Sequence, residues 1–222
     1  MQIRLDGRTI CCIGTGPSVT PQQVDAARRK GFVLYVCNDA FRLAPDAALL
    51  HACNWQWWDL RWDEVKDLPC EKWTTRREAA QKYGINWIDE QDGKGRGLSR
   101  EPEHYIHHGH GSGYQLVSMA HRAGARRIVL LGYDLKYARD YDGTNRRIGS
   151  SPRHFFGEYP KEIQHWPRVM VRDGVHFEMV RIYADTAKYM YETGPEEIIN
   201  CSPGSAMTAF PVMDIADVSD GD

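Results

Sequence analysis

The stretch TICCIGTGPSVTPQQ, residues 9–23, decides the fold prediction. Its apolar start predicts a buried strand, a glycine turn follows, and Thr20, Pro21 and Gln23 have the spacing of a helix start with a capping box. Backbone N–H groups at a helix start point toward whatever the turn holds, so this order favours a bound anion such as phosphate. The alternative is an ordinary tight turn, since the sequence has neither a G-x-G-x-x-G fingerprint nor a Walker lysine here.

Several further apolar runs end on polar residues. Asn38 and Asp39 follow the first run, Asn54 follows the second, and Asp134 follows the third. Continuous apolar runs of this length are typical of parallel strands that are covered on both faces. We therefore predict an α/β fold, a Rossmann-like mostly parallel sheet with helices on both faces, whose strand ends share one ligand-binding edge. The runs are residues 32–37, 47–53, 127–132 and 197–201.

A second glycine turn, residues 109–113, precedes a predicted helix from Tyr114 to Ala123. It repeats the opening arrangement and would place a second set of N–H groups opposite the first. The residues before and within this turn include four histidines in seven positions, residues 104–110. A metal site, hydrogen bonding to a phosphate or sugar, and a plain surface loop all stay open for them.

The composition changes along the chain and suggests an insertion. Residues 1–137 and 175–212 are predicted to form one nucleotide-binding domain. The polar, irregular residues 138–174 have the character of a lid or acceptor-binding insertion, and the acidic residues 213–222 that of a flexible tail. A glycine-rich basic loop, residues 93–97, is either a phosphate contact or a solvated loop.

The segment WQWWDLRW, residues 55–62, concentrates aromatic side chains. At helical spacing Trp55, Trp58 and Trp62 would share one face. Such a face either packs into the core or forms a stacking wall for a base or sugar.

Bulk composition narrows the classes of partner. The 222 residues carry a formal net charge of −2, which argues against non-specific nucleic-acid binding and favours a small partner. We find no apolar run of the ~18 residues that cross a bilayer and no signal-peptide core, so we expect a cytoplasmic protein without a membrane span. The six cysteines form no C-x-x-C pair, so we expect reduced, buried thiols and no structural metal.

Six short motifs together resemble a known family in their order and approximate spacing. The resemblance is to the bacterial sialyltransferases of carbohydrate-active family forty-two, and also to motility-associated flagellin glycosyltransferases, archaeal pterin diphosphokinase-like proteins and phage-encoded proteins of the same type. The motifs are residues 13–18, 37–38, 54, 111–113, 131–135 and 201–205.

This resemblance implies a glycosyltransferase. The reaction would be an inverting, metal-independent transfer of a sugar from a CMP-type nucleotide donor to an unknown acceptor, with no cofactor besides the nucleotide-sugar. Lys136, with Tyr137 adjacent, stands where the family has a tyrosine that holds the departing phosphate, and a cation could serve there. Together with the strand-end residues, the predicted donor-binding set is Gly14, Thr15, Gly16, Pro17, Ser18, Asn38, Asp39, Asn54, Gly111, Ser112, Gly113, Asp134, Lys136, Tyr137, Ser202 and Ser205.

The catalytic base is the point at which the sequence departs from the family. The resemblance implies a lid histidine as base, but its position is occupied by Glu158, and His154 lies four residues earlier. A carboxylate can act as base when burial raises its pKa, so Glu158 and His154 are both candidates. The alternative is that both residues only anchor the lid.

Two other functions compete with the transferase. A magnesium-dependent diphosphokinase of the pterin type would need Asp39 or Asp134 against the phosphates. A non-catalytic nucleotide-binding phage accessory protein would keep the crevice without a base. Self-association into a homo-oligomer is left open by the sequence.

Overall fold

The chain forms a seven-stranded parallel sheet with a two-stranded sheet beside it. The computed structural model describes residues 7–91, 97–102, 104–136, 154–160, 180–188, 195 and 197–220. The strands are β1 (Thr9–Ile13), β2 (Val33–Cys37), β3 (Leu49–His51), β4 (Glu71–Thr74), β5 (Asn86–Trp87), β6 (Asp89–Gln91), β7 (Tyr105–His107), β8 (Arg127–Leu131) and β9 (Glu197–Asn200). The main sheet has the order β5-β4-β3-β2-β1-β8-β9, and β6 pairs with β7. The predicted mostly parallel α/β sheet is confirmed.

Helices cover both faces of this sheet because side chains alternate along its central strand. Ile10 and Cys12 of β1 belong to one buried cluster, and Cys11 and Ile13 belong to the other. The helices are α1 (Pro21–Arg29), α2 (Trp55–Val65), α3 (Arg77–Tyr83), α4 (Ser112–Arg122) and α5 (180–188). The first cluster includes residues of α4 and α5, and the second includes residues of α1 and α2.

Helix α1 begins as the sequence predicts. The Thr20 hydroxyl accepts from the Gln23 amide at 3.3 Å, and the Gln23 side chain accepts from the Thr20 amide at 3.0 Å. Both halves of the capping box are therefore formed, with Pro21 at the first helical position. Gly31, with a φ of +73°, follows the helix in the left-handed region that glycine adopts at little cost.

The tryptophans that were predicted to share one face of α2 are not the ones that are buried together. Trp58 is buried as expected, but Trp57 is buried with it, and Trp55 is 49% exposed. Trp62 is partly buried and packs on Tyr83, with ring centroids 4.6 Å apart. The buried face thus includes a position that the i, i+3 pattern skipped, because the Trp57 indole N–H finds a buried acceptor in the core.

One helix start differs from its predicted position, and one strand was not expected. Helix α4 begins at Ser112, two residues before the predicted Tyr114, so Ser112 and Gly113 lie in its first turn. Strand β6 was not predicted. Residues 180–188, within the range predicted to belong to the domain, are helical, and Tyr183 packs edge-on against Tyr114 of α4.

The segment that we expected to be a flexible tail instead packs on the domain over most of its length. Ile215 and Val218 are buried, and the Lys30 ammonium donates to the Val218 carbonyl at 2.6 Å. Apolar side chains spaced three residues apart fix this segment, although its overall composition is acidic.

All six cysteines are free, and all except Cys70 are buried. Burial raises the pKa of Cys37 to about 12, so its thiol stays protonated. Among the described residues, no helix combines the length and the apolar character that crossing a membrane requires.

Candidate functional site

The loops that leave β1 and β8 meet at the point where the strand order reverses. From β1 the sheet continues through β2 to β5 on one side and through β8 to β9 on the other. In an open parallel sheet the crevice outside the carboxyl ends of two such strands is the usual ligand site. The glycine turn after β1 and the segment Tyr133–Asp134 after β8 lie at this crevice.

Glycines let the two strand exits approach to backbone contact. The Gly14 amide donates to the Leu131 carbonyl at 2.8 Å, and the Gly16 amide donates to the Gly132 carbonyl at 2.9 Å. A Cβ on Gly14 would lie 2.8 Å from the Gly132 oxygen, and one on Gly16 would lie 2.0 Å from Asp134 Oδ2. The turn's glycines therefore serve close packing of protein on protein, and two amides that we expected to face a phosphate are bonded to carbonyls.

A carboxylate occupies the anion position of the turn. The Ser18 hydroxyl donates to Asp134 Oδ2 at 2.8 Å, and the Ser18 amide donates to the same oxygen at 3.3 Å. Asp134 is 6% exposed. Burial raises its pKa above the usual value, although the bonds from Ser18 and the charge of Lys136 oppose that shift. The turn thus binds an anion, and in this structure the anion belongs to the protein.

The segment 154–160 from the predicted lid docks on this same turn. His154 Nδ1 lies 3.0 Å from the Thr15 hydroxyl, and the Phe155 amide donates to the Thr15 carbonyl at 3.0 Å. The imidazole stacks on the Phe156 ring at a centroid distance of 4.9 Å and an interplanar angle of 6°. Glu158 is exposed on the same segment. Of the two candidate bases, the structure brings His154 to the glycine turn.

Asp39 attaches this segment to the sheet. Its fully buried carboxylate accepts from Trp57 Nε1 at 2.7 Å, pairs with Arg61 Nε at 2.9 Å, and bonds to the Tyr159 hydroxyl. Burial together with the neighbouring Asp39 charge raises the pKa of Tyr159 well above its usual value, so the phenol stays protonated as a donor. Asp39 was predicted to contact the nucleotide-sugar. In the structure its carboxylate instead contacts protein side chains, and its bond to Tyr159 holds residues 154–160 in place.

Asn38 directly follows β2, and Asn54 lies three residues beyond the end of β3, so both come after a strand as predicted. Both are partly buried. Asn38 adopts a positive φ of 49° at the start of a short 3₁₀ turn over residues 38–42. Asn54 caps α2 through its carbonyl, which accepts from the Trp57 amide at 3.1 Å, and its side chain does not cap the helix. Both amide side chains therefore lie at the carboxyl edge of the sheet.

The second glycine turn packs against the ring of Tyr133, which lies at the crevice. Tyr133 is buried, and a Cβ on Gly14 or on Gly113 would lie 3.4 or 3.3 Å from its ring. Its hydroxyl donates to the Gly113 carbonyl at 3.0 Å. The Ser112 hydroxyl accepts from the Cys53 amide at 3.1 Å. The turn at 111–113 therefore packs on the segment that follows β3 and on Tyr133, whose ring lies between the two glycine turns.

The closing turn after β9 supports the exit of β8. The Ser202 hydroxyl accepts from the Tyr133 amide at 2.8 Å, and the Ser205 hydroxyl donates to the Tyr133 carbonyl at 2.6 Å. Lys136 Nζ lies close to this turn, 3.6 Å from the position of a Cβ on Gly204. The predicted serines thus position the residues around Asp134, and Lys136 adds a positive charge beside them. Tyr137 lies outside the described residues.

The histidine stretch belongs to a network that the sequence did not reveal. Glu90 of β6 bonds to His108 Nδ1 at 3.0 Å, to Arg76 Nη1 at 2.8 Å and to the side-chain Nε2 of Gln115 at 2.7 Å. Gln115 Oε1 in turn lies 2.8 Å from Nε2 of the buried His51. Burial acts to raise the pKa of Glu90, but His108 and Arg76 bring it below its usual value.

This network argues for a structural role for His108, the member of the histidine stretch that bonds to Glu90. Glu90 was not identified as a neighbour of His108 from the sequence, because β6 and its pairing with β7 were not predicted. Within the part of the chain that the structure describes, no group of three or more histidine, cysteine or acidic side chains is arranged to hold a metal ion. The contacts of Glu90 instead tie β6, α3 and α4 together.

The arrangement at the β1 turn combines an acid–base group with an anion position. When Nδ1–H of His154 donates to Thr15, its Nε2 is the nitrogen that can take a proton. Ser18 and Lys136 supply donors and positive charge on the other side of the turn. Comparison with protein-family models and with curated proteins found no match.

Proposed function

We propose that the protein is a nucleotide-dependent glycosyltransferase of inverting, metal-independent type, acting on a CMP-type sugar donor. The observation that carries this proposal is the docking of His154 on Thr15 in the same turn that holds an anion at Ser18. A group transfer from a phosphate donor needs both parts: a base for the acceptor and stabilisation for the phosphate that leaves.

The chemistry assigned to this chain is a single displacement. His154 Nε2 takes the proton of the acceptor hydroxyl while that oxygen forms a bond to the anomeric carbon. The bond from that carbon to the donor phosphate breaks, and the electron pair leaves on the phosphate oxygen. Ser18 and Lys136 stabilise the charge that develops there. The acceptor is not defined by the described residues.

Calorimetry with a panel of nucleotides in the presence of EDTA tests donor binding. The proposal predicts saturable binding of one nucleotide class without a divalent metal. If no nucleotide binds, the proposal is rejected.

Turnover of the donor that binds, measured as hydrolysis or as transfer, tests the base. We expect His154→Ala to lower turnover by about 10²–10⁴-fold while donor binding persists, because general-base catalysis typically contributes that much. Glu158→Gln, on the same segment, is the matched variant and should leave turnover within a few-fold. The opposite pattern would assign the base to Glu158.

The position of Asp134 supports a second candidate, a magnesium-dependent diphosphokinase. Asp39, the other carboxylate proposed for magnesium, is buried against Trp57 and Arg61. Asp134 lies beside the turn, where a magnesium ion could bridge it to phosphates. Nucleotide binding that strictly requires magnesium would favour this candidate over the first. Nucleotide binding without turnover of any donor, unaffected by His154→Ala, would indicate a non-catalytic module.

A further inference from the structure

Asp134 and a ligand phosphate would compete for the same two donors. Asp134 Oδ2 accepts from both the hydroxyl and the amide of Ser18. The amides of Gly14 and Gly16 are bonded to backbone carbonyls, and the Val19 amide donates to the Gly16 carbonyl at 3.3 Å. The groups of this turn that donate to an anion are therefore the hydroxyl and the amide of Ser18.

A ligand phosphate at Ser18 and an ionised Asp134 carboxylate beside it would repel each other. Like charges within a few ångströms repel strongly where water is excluded, so one carboxylate or phosphate must lose its charge or move. Asp134 is 6% exposed, and its Oδ2 lies against Gly16, 2.0 Å from where a Cβ on that glycine would be, so the carboxylate stays near a phosphate that takes its place at Ser18. Protonation removes the repulsion in place and turns the acceptor into an O–H donor toward phosphate.

We propose that Asp134 is an internal anion that a nucleotide phosphate replaces at Ser18, and that its carboxylate takes up one proton from solvent as the phosphate binds. This inference rests on the proposed function, since it requires a phosphate-bearing ligand in the crevice. The ligand class is a nucleotide or nucleotide-sugar whose phosphate accepts from Ser18 and pairs with Lys136.

The charged groups around Asp134 are few in the described part of the chain. Lys136, on the same strand exit, favours the ionised carboxylate. The turn of residues 14–18 carries no charged side chain, but it binds His154 through Thr15. The turn of residues 202–205 contacts the Asp134 backbone through Ser205. Burial raises the pKa of Asp134 despite Lys136 and Ser18, which makes proton uptake on binding easier.

The test is calorimetry of the nucleotide that binds best among CMP, UMP, AMP and GMP, in two buffers of different ionisation enthalpy. For the wild-type protein we expect uptake of close to one proton per ligand near pH 7. Affinity should fall as pH rises, because the unprotonated carboxylate opposes the phosphate. Asp134→Asn keeps the size and the Ser18 acceptor but removes the charge, so it should bind about tenfold more tightly and without that proton. The pH dependence left in this variant includes the titration of the nucleotide phosphate itself, whose second pKa is about 6.

Weaker nucleotide binding by Asp134→Asn would overturn the inference and make Asp134 a direct ligand of a hydroxyl or a cation. Equal affinity of the two proteins without proton uptake would also overturn it while leaving the proposed function intact. If neither protein binds any nucleotide, the proposed function fails and the inference fails with it. Chemical denaturation of both proteins checks that the variant is folded.

Discussion

At the residue scale, Gly16 determines how closely the exits of β1 and β8 approach each other. A Cβ at this position would lie 2.0 Å from Asp134 Oδ2 and 2.5 Å from the Gly132 oxygen. Gly16→Ala should therefore lower the free energy of unfolding by about 2–3 kcal/mol, measured by urea denaturation, because the backbone must separate to make room.

Gly31→Ala is the control for this prediction. Gly31 has a positive φ but open space around its Cα, so only backbone strain of about 1 kcal/mol is expected. A Gly16 variant that is no less stable than the Gly31 variant would show that the two strand exits are not packed as described.

Asp134 carries a cost to stability that its substitution should relieve. Because burial raises its folded-state pKa, the folded protein binds more protons than the unfolded chain between the two pKa values, and stability falls as pH rises through that window. Asp134→Asn should therefore be more stable than wild type at pH 7 by denaturant titration. Below about pH 4 the gain should vanish, since the carboxyl is then neutral in both states. A loss of stability at pH 7 would mean that the ionised carboxylate is favourable in the fold.

Local residue patterns were predictable, and contacts distant in sequence were not. The capping box of Thr20 and Gln23 and the glycine turn are short-range, so the sequence alone defines them. The bond between Ser18 and Asp134 joins residues 116 positions apart, and no pattern in one sequence signals it. For the same reason Asp39 was expected at a ligand, whereas its partners Trp57 and Arg61 come from α2.

At the element scale, Asp39 joins β2, α2 and the segment 154–160. Its removal would leave Arg61 Nε, on a side chain that is 14% exposed, without its partner, and the Trp57 indole N–H without its acceptor. Arg61 Nη1 would keep its pair with Glu64 at 3.0 Å. Asp39→Ala should therefore cost about 3 kcal/mol in the free energy of unfolding, the lower end of what is expected when one partner of a buried pair is removed.

Asp63→Ala provides the contrast by the same denaturation assay. Asp63 pairs with Lys66 at 3.0 Å, but its side chain is 91% exposed, so less than about 0.5 kcal/mol is expected. Similar losses in the two variants would contradict the buried junction that we assign to Asp39.

Elements with strong apolar runs were predictable, but which side chains of the tryptophan-rich helix α2 are buried was not. The strands β1, β2 and β8 and the start of helix α1 lie close to their predicted positions. The prediction of the buried face of α2 was wrong because the burial of Trp57 depends on a hydrogen bond to Asp39. The spacing of apolar residues along the helix does not reveal such a bond. Strand β6 escaped prediction because Asp89–Gln91 is polar, and only its pairing with β7 makes it a strand.

At the scale of the whole molecule, the C-terminal segment completes the core over α1. Ile215 is 4% exposed and belongs to the same buried cluster as Val24 and Ala27. Ile215→Ala should cost about 2–4 kcal/mol by thermal or urea denaturation, since it leaves a cavity. Val212→Ala, at a side chain that is 54% exposed, should change stability by less than about 0.5 kcal/mol. Equal effects would mean that the segment is frayed in solution, as its acidic composition first suggested.

The overall sheet could be predicted because each apolar run is long enough to require cover on both faces. The crevice could be placed for the same reason, since strand ends in a parallel sheet share one edge. Its occupant could not be predicted: the turn that was expected to bind a phosphate has a protein carboxylate at Ser18, and His154 reaches Thr15 from 139 residues away.

The most direct test of the central claim, that a nucleotide binds in the crevice between β1 and β8, is an NMR titration of the ¹⁵N-labelled protein with CMP and related nucleotides in EDTA. We predict that the amide signals of Thr15, Ser18 and Asp134 shift most and saturate together, while those of β6 and α3 change little. Unchanged spectra at saturating nucleotide, or shifts centred away from this crevice, would contradict the account.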